Sequence, residues 1–256
     1  MSFPYKHVLL IGATSGIGLA MAERLVQECK VTVVGRRKDR LDEFVAKHGD
    51  KAKSISFDIG DTEKASQFAA DVIESSPDID CVFLNAGYQR KHDFSKPESV
   101  DIKGFIYETH VNFTSFVVLT HAFLPYLLEK KQETSFIYTT TNLSMVPAVG
   151  VSAYSASKAA LSAFILCLRD DLRDTSVKVV ELSPPLVQTE IHDYMGPHGR
   201  NMGMPIGEFT AKAYTGLCSG EDTIFIGDVA FAGGILELGK KKRELFEELA
   251  KSIRSR

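Results

Sequence analysis

The chain has 256 residues, 44% of them hydrophobic and 25% charged, which is the composition of an ordinary globular protein and excludes a disordered or collagen-like chain. Its 30 Lys and Arg against 33 Asp and Glu give a net charge of -3, so we expect no broad basic surface for nucleic acid. The four cysteines are widely spaced, which argues against a disulfide framework and against a structural zinc site.

The amino terminus lacks the charged and then apolar pattern of a secretion signal. The longest apolar stretch, residues 7–22, is interrupted by three glycines and is therefore a poor membrane span. We expect a cytoplasmic protein with no membrane partner.

Short apolar runs rich in branched residues alternate along the chain with longer segments of helical period. The runs predict strands at Val8–Ile11, Val31–Val34, Ser54–Phe57, Cys81–Leu84, Phe136–Thr140 and Val177–Leu182. The longer segments predict helices at Ile17–Glu28, Asp39–His48, Asp61–Ser75, Val100–Leu128 and Ala153–Asp174. This alternation predicts an α/β fold, a doubly wound parallel sheet of the Rossmann type with helices on both faces, as a single domain over residues 1–256.

The pattern changes after Thr189, where glycines, methionines, Pro197 and Pro205 follow one another. Residues 190–210 are expected to form a mobile lid if they lie beside a substrate cleft, and a flexible surface loop otherwise. Further on, Thr223–Ile226 predicts an edge strand and the charged tail Lys240–Arg256 predicts a helix with a solvated face.

The first predicted strand runs into a glycine-rich turn, residues 12–18, and then into a helix. Glycines at such a turn let the backbone approach a pyrophosphate, and the helix amino terminus offers free N–H groups. A tight turn that binds nothing is the alternative.

The second strand ends at Gly35, which supplies no carboxylate, and Arg36 and Arg37 follow it. An arginine at this tip pairs with a 2′-phosphate, so we favour NADP(H) over NAD(H). The alternative is that both arginines lie on a solvated turn and bind no phosphate.

Tyr154 and Lys158 lie one helical turn apart and share a face with several leucines, an unusual environment for an ammonium without a function. A free tyrosine has a pKa of about 10, so acid/base work near neutrality needs about 4 kcal/mol of stabilisation of the phenolate, much of which a lysine at about 4 Å supplies. Tyr126 and Lys130 have the same spacing but lie at a predicted helix end, where a lysine meets water.

A hydroxyl thirteen residues before Tyr154 follows the fifth strand. Thr141 therefore lies at the carboxyl edge of the sheet, where open α/β sheets bind ligands, and its hydroxyl fits the task of holding a carbonyl oxygen. Ser144 fits the same role, and a β-branched strand end is the structural alternative for residues 139–141.

Taken together, these motifs resemble the short-chain dehydrogenase/reductase family. The motifs that carry the resemblance are the glycine turn Gly12 to Gly18, Asp58-Ile59, Asn85-Ala86-Gly87, Asn112, Thr141, Tyr154-x-x-x-Lys158 and Ser183-Pro184-Pro185 leading to Thr189. The charged tail and Asn85-Ala86-Gly87-Tyr88-Gln89-Arg90 are similar to its DltE-like subgroup.

The resemblance implies that Tyr154 is the acid/base, that Lys158 lowers its pKa and binds the nicotinamide ribose, that Asn112 supports a water relay and that Thr141 replaces the family's serine. The cofactor-binding residues expected from the turn, the strand tip and the resemblance are Gly12, Thr14, Ser15, Gly16, Ile17, Gly18, Arg36, Arg37, Asp58, Ile59, Asn85, Ala86, Gly87, Tyr154, Lys158, Pro184, Val187 and Thr189. Departures from the family pattern are Ile11, Thr141 and Pro185, of which Pro185 reshapes the loop expected under the nicotinamide.

The leading hypothesis is an NADP(H)-dependent oxidoreductase that interconverts a carbonyl and a secondary alcohol on a small molecule, with NAD(H) as the less favoured cofactor. A non-catalytic NADP(H)-binding redox sensor is the alternative, and an epimerase or dehydratase fits the glycine spacing less well. No metal-binding spacing is present among the histidines. A homodimer through residues 100–128 and 153–174 follows from the resemblance.

Overall fold

The computed structural model describes residues 2–196, 198–228 and 234–255. Within these residues the chain forms seven strands: β1 His7–Ile11, β2 Lys30–Gly35, β3 Ala52–Ser56, β4 Cys81–Leu84, β5 Thr134–Thr139, β6 Val177–Ser183 and β7 Thr223–Phe225. They form one parallel sheet in the order β3-β2-β1-β4-β5-β6-β7. The first three strands are added towards one edge of the sheet, and the strands from β4 onwards are added on the other side of β1. The predicted doubly wound parallel sheet is confirmed.

In the described part of the chain, eight α-helices connect or follow the strands: α1 Gly16–Leu25, α2 Lys38–His48, α3 Ala65–Ser75, α4 Ile102–Thr109, α5 Ser115–Leu128, α6 Ser152–Asp171, α7 Ile206–Leu217 and α8 Ile235–Arg254. The side chains of β1 alternate between two buried clusters. Val8 and Leu10 pack with the helices α1, α2 and α7, whereas Leu9 and Ile11 pack with α3, α5 and α6. The sheet is thus covered on both faces, which explains why its strands are continuously apolar.

Two helix predictions need correction. The single helix predicted at Val100–Leu128 begins at Ile102 and is interrupted by a π-helical turn at His110–Thr114. A π turn adds one residue per turn and leaves local backbone groups out of the regular ladder, a feature that apolar periodicity does not encode. Helix α7 was missed: residues 206–210, predicted as part of the lid, are its first residues.

The remaining differences concern the ends of elements. The first helix ends at Leu25 rather than Glu28, the sixth at Asp171 rather than Asp174, and the third begins after a 3₁₀ turn at Thr62–Lys64. The predicted tail belongs to a longer helix, α8, that starts at Ile235. Pro197 of the predicted lid and Arg256 of the predicted tail lie outside the described residues.

The stretch Ile102–Leu128 is apolar and long enough to cross a membrane by composition alone. Its inward side chains Phe116, Leu119 and Phe123 are buried against the sheet, as they are in the core helix of a globular domain. Its outward side includes the exposed Ile102 and Ile106.

Candidate active site

The glycine turn after β1 brings three chain segments into close contact. Gly12 has a φ of +91°, and a Cβ at this position would lie 2.5 Å from the backbone of Ala86. A Cβ at Gly18 would lie 2.0 Å from the carbonyl oxygen of Gly12. Only glycine fits at either position, because the turn packs against the loop after β4 and against its own helix. The result is an open amino terminus of α1 at the carboxyl edge of the sheet, which suits a pyrophosphate.

Asn85 ties this turn to the strand β5. Its Nδ2 donates to the carbonyl oxygen of Gly12 at 3.2 Å, and its Oδ1 accepts from the hydroxyl of Thr139 at 2.8 Å. The same residue, Thr139, accepts at its carbonyl oxygen from Nζ of Lys158 at 2.8 Å. One short chain of hydrogen bonds therefore connects the glycine turn with the helix α6.

The tip of β2 is basic. Arg37 donates to the hydroxyl of Thr14 from Nε at 3.1 Å and from Nη2 at 2.9 Å, and Nη1 pairs with Glu190 at 2.9 Å. Arg36 lies 3.7 Å from Asp58. A Cβ at Gly35 would lie 2.5 Å from Cγ2 of Thr14, so the position has no room for a carboxylate side chain unless Thr14 moves. An anion bound at this tip would meet two guanidinium groups that now pair with Asp58 and Glu190, whereas β2 itself carries no acid.

Tyr154 and Lys158 occupy the opposite end of the cleft. Lys158 is 1% exposed, and its Nζ lies 5.2 Å from the ring centroid of Phe116 and 6.0 Å from that of Tyr154. The apolar stripe predicted for this face is buried, with Leu161 and Ile165 fully enclosed. The matched pair Tyr126–Lys130 lies at the surface, where both side chains reach the carbonyl oxygen of Pro77.

The electrostatics of the pair differ from the sequence-based expectation. Burial lowers the pKa of Lys158 from 10.5 to about 7, so the ammonium is only partly charged near neutrality. Burial, and after it the negative charge of Glu108, raises the pKa of Tyr154 above its usual 10. Burial therefore acts against the function that the resemblance implies for Tyr154, and the lowering of its pKa by Lys158 stays a prediction.

Of the two hydroxyls predicted to hold a carbonyl oxygen, only Thr141 lines the cleft. It follows β5 directly, accepts weakly from the N–H of Leu143 at 3.3 Å and donates weakly to the carbonyl oxygen of Pro184 at 3.4 Å. Ser144 is buried, and its hydroxyl has no hydrogen-bond partner within the described part of the chain. Thr141 is therefore the hydroxyl that a ligand in the cleft can reach.

Asn112 lies on the π-helical turn and is fully buried. Its side chain pairs with Tyr88 in both directions, accepting from the N–H at 2.8 Å and donating to the carbonyl oxygen at 2.8 Å. It also donates to the hydroxyl of Ser157 at 3.3 Å. The amide thus fixes the loop after β4, while its side chain itself does not line the cleft.

A single cleft of about 1090 Å³ contains nearly all of the predicted site residues. Gly18 and Asn112 support it from behind, whereas the other predicted residues line it; these are Gly12, Thr14, Ser15, Gly16, Ile17, Arg36, Arg37, Asp58, Ile59, Asn85, Ala86, Gly87, Thr141, Tyr154, Lys158, Pro184, Val187 and Thr189. The volume lies at the upper end of ligand pockets, as a dinucleotide together with a substrate requires.

Further residues line the cleft, and several of them belong to the lid predicted at residues 190–210. Glu190–Met195 form a 3₁₀ helix in which the hydroxyl of Tyr194 donates to Oε1 of Gln89 at 2.9 Å and Glu190 pairs with Arg37. Arg90 and Met202 line the same space. The contacts of Tyr194 with Gln89 and of Glu190 with Arg37 join residues 105 and 153 positions apart, so no local sequence pattern predicts them. In the described residues no three His, Cys, Asp or Glu side chains are grouped to hold a metal ion.

Comparison with known proteins gives consistent matches. A protein-family model described as short chain dehydrogenase matches residues 6–198. The chain is 34% identical over 194 residues to the uncharacterized oxidoreductase DltE of Bacillus subtilis, with 75% of each protein covered. It is 35% identical over 188 residues to the serine 3-dehydrogenase of Rhizobium radiobacter, with 72% of each covered. It is 30% identical over 181 residues to the NADP-dependent 3-hydroxy acid dehydrogenase YdfG of Shigella flexneri, covering 70% of this chain and 72% of that protein.

Solved structures agree on the fold. A short-chain dehydrogenase from Streptomyces avermitilis superimposes with a TM-score of 0.77 at 25% identity, covering 99% of both chains. The closed form of serine dehydrogenase complexed with NADP+ superimposes with a TM-score of 0.76 at 23% identity, covering 89% of this chain and 97% of that one. The second match, at its lower identity, bears on the fold alone.

Proposed function

The chain belongs to the short-chain dehydrogenase/reductase family of NAD(P)-dependent oxidoreductases that act on CH–OH and C=O groups, and we propose that it uses NADP(H) to interconvert a carbonyl and a secondary alcohol with Tyr154 as the acid/base. The observation that carries the proposal is the enclosure of Tyr154, Lys158 and Thr141 in the cleft that begins at the glycine turn. The surface pair Tyr126–Lys130 has the same spacing but does not line the cleft.

The cofactor-binding roles follow from charge and space. The amino terminus of α1 and the glycine turn would hold the pyrophosphate, and Asp58 and Ile59 would flank the adenine. Arg36 and Arg37 would pair with the 2′-phosphate, which is the basis for preferring NADP(H) over NAD(H). When bound, the nicotinamide would supply or accept the hydride, and its oxidised form would add positive charge to the cleft.

The protein's own contribution at the reacting end is to orient the substrate and to move one proton. Thr141 orients the substrate oxygen by a hydrogen bond. Tyr154 donates its hydroxyl proton to that oxygen during reduction and takes it back during oxidation. Lys158 interacts with the phenol as a cation only when protonated, so ligand oxygens that solvate the ammonium would restore its charge and lower the pKa of Tyr154.

A pair of variants tests the proton transfer. Replacing Tyr154 by Phe should lower NADPH oxidation with a panel of ketones, aldehydes and 3-oxo acids by roughly 100- to 10,000-fold, the usual contribution of a positioned acid/base. Tyr126→Phe, which removes the hydroxyl of the matched surface pair, should keep wild-type rates.

Wild-type turnover by Tyr154→Phe would refute the mechanism. Binding of NADPH without oxidation by any member of the panel would favour the redox-sensor alternative. The 3-oxo acids belong in the panel because two relatives are a serine 3-dehydrogenase and a 3-hydroxy acid dehydrogenase by name.

Two wider expectations belong to the same proposal. The first is a homodimer through residues 100–128 and 153–174, for which the exposed Ile102 and Ile106 of α4 supply an apolar surface. Sedimentation of the wild type against an Ile106→Glu variant tests it, since a monomeric wild type would contradict it.

The second is a cytoplasmic location, which the four free cysteines fit.

A further inference from the structure

The segment Tyr88–His92 lies at one wall of the cleft that contains Tyr154, and its residues 88–91 line that wall. Its backbone is fixed at both ends: Asn112 pairs with Tyr88, and the N–H of His92 donates to the carbonyl oxygen of Gly150 at 2.9 Å. The second contact joins this wall to the loop that precedes α6. The segment is therefore a rigid part of the substrate side of the cleft, with a shape set by residues outside it.

The middle of the segment rests on a buried carboxylate. Glu108 of α4 is fully enclosed, and its Oε2 accepts from the N–H of Arg90 at 3.0 Å and lies 3.3 Å from Nε2 of His92. A buried carboxylate is costly unless hydrogen bonds satisfy it, so a purely structural loop would gain by an apolar residue here. Glu108 instead holds the backbone of Arg90 at a defined place in the wall.

The side chain of Arg90 is positioned and has donors to spare. Its Nη1 donates to the carbonyl oxygen of Gln89 at 2.7 Å, and its guanidinium lies 4.2 Å from the ring centroid of Tyr88. Neither contact uses Nε or Nη2, and Arg90 makes no ion pair with a described residue, whereas Arg36 and Arg37 pair with Asp58 and Glu190. A stacked guanidinium with a free edge is preorganised for a planar anion.

Tyr194, a residue of the predicted lid, contacts the same wall beside Arg90. Its hydroxyl is held by Gln89, the neighbour of Arg90, and the charge of Arg90 opposes the rise in the pKa of Tyr194 that burial and Glu108 cause. Arg90 thus lies between the wall and the lid. Asp193, the lid carboxylate nearest in sequence, is neutralised by Arg200 and does not compete for it.

We infer that Arg90 binds the carboxylate of an anionic substrate in the cleft beside Tyr154, and that it determines the specificity of the enzyme for oxo and hydroxy acids over neutral ketones and alcohols. The inference rests on the proposed function. The guanidinium would donate from Nε and Nη2 to the carboxylate oxygens, and the reacting carbonyl would lie at Thr141 and Tyr154. Glu108 is a positioning residue for this contact.

The cofactor pyrophosphate is a second possible source of the same anionic chemistry. The glycine turn and the amino terminus of α1 already offer it N–H donors on the other side of the cleft, so we assign Arg90 to the substrate. Kinetic constants measured separately for the cofactor and for the substrate distinguish the two sources.

The test compares acetoacetate with methyl acetoacetate, which differ in the charge at one end. Arg90→Gln should lower kcat/KM for acetoacetate by roughly 10- to 100-fold, the effect of losing a charge-assisted hydrogen bond, and change that for the ester by less than about twofold. The KM for NADPH should stay unchanged. Lys96→Gln, which removes an exposed cation of the same loop that does not line the cleft, is the control and should match the wild type.

Binding gives a second readout that does not need turnover. Acetoacetate should raise the melting temperature of the wild-type complex with NADP+ and not that of the Arg90→Gln complex. An equal loss for acid and ester, a loss confined to the KM for NADPH, or no binding of acetoacetate by the wild type would overturn the inference. Failure of the proposed function looks different, because Tyr154→Phe would then keep the activity of the wild type on both compounds.

Discussion

Replacing Lys158 by Met should stabilise the fold near neutral pH while it abolishes most of the activity. Lys158 is enclosed, has one hydrogen bond from Nζ to the carbonyl oxygen of Thr139, and has its pKa lowered by burial from 10.5 to about 7. Methionine has a similar length and no charge, so it fills the same space. Lys158 would thus lower the stability of the fold and be needed for activity at the same time.

The magnitude follows from proton linkage. Well below pH 7 both the folded and the unfolded chain hold the Lys158 proton, and the lowering of the pKa from 10.5 to about 7 then corresponds to about 5 kcal/mol of destabilisation. Between pH 7 and 10.5 the unfolded chain binds more protons than the folded one, so stability rises with pH. The part of this rise between about pH 7 and pH 9 is roughly 2 kcal/mol.

Urea unfolding of the wild type and of Lys158→Met at about pH 7 and pH 9 measures this term. The wild type should gain roughly 2 kcal/mol more than the variant between the two pH values, because the other titrating groups are common to both proteins. The lost hydrogen bond to Thr139 costs about 1 kcal/mol at both pH values and cancels in the difference. Lys130→Met, at the surface pair, should follow the wild type. Identical pH dependence in wild type and Lys158→Met would refute the burial argument.

Three further changes test other parts of the cleft. Arg37→Ala should raise the KM for NADPH by roughly 10- to 100-fold and that for NADH much less, since only the first carries a 2′-phosphate; equal changes would contradict the assignment. Glu108→Gln keeps a hydrogen-bond acceptor but removes the negative charge that raises the pKa of Tyr154. The rising limb of kcat/KM against pH for alcohol oxidation should therefore move to lower pH. An unmoved limb would show that the charge of Glu108 does not affect the pKa of Tyr154. Gly18→Ala places a Cβ 2.0 Å from the carbonyl oxygen of Gly12 and should cost about 1 to 3 kcal/mol in urea unfolding, whereas a neutral effect would show that the turn relaxes.

The sequence predicts the sheet well because β1 carries its information locally. Its apolar residues alternate between two helix-covered faces, so both faces read as hydrophobic and the strand is unmistakable. Helix ends and the π-helical turn at His110–Thr114 depend instead on single hydrogen bonds. The side-chain cap of α4, Asp101 to the N–H of Gly104 at 2.9 Å, is one of these.

The positions of the site residues are also predictable in large part, since parallel strands bring their carboxyl ends to one edge. What the sequence does not carry is the electrostatic state. The expectation that Lys158 lowers the pKa of Tyr154 counted the attraction of the pair and not the desolvation of each member. The desolvation depends on the residues that enclose the pair. The charge of Glu108, a residue that belongs to no recognised motif, adds to it for Tyr154.

The run Thr139–Thr141 shows how a plain β-branched strand end acquires separate tasks. Strand alternation directs Thr139 and Thr141 to one side of the sheet and Thr140 to the other, where its hydroxyl donates to the buried Glu181 at 2.8 Å. Thr139 links Asn85 of the cofactor side with Lys158, and Thr141 lines the cleft two residues later. The distance between the glycine turn and the proposed proton donor is therefore set by one strand end. A displacement of cofactor relative to phenol would have to break these hydrogen bonds, and this coupling preorganises the two halves of the site.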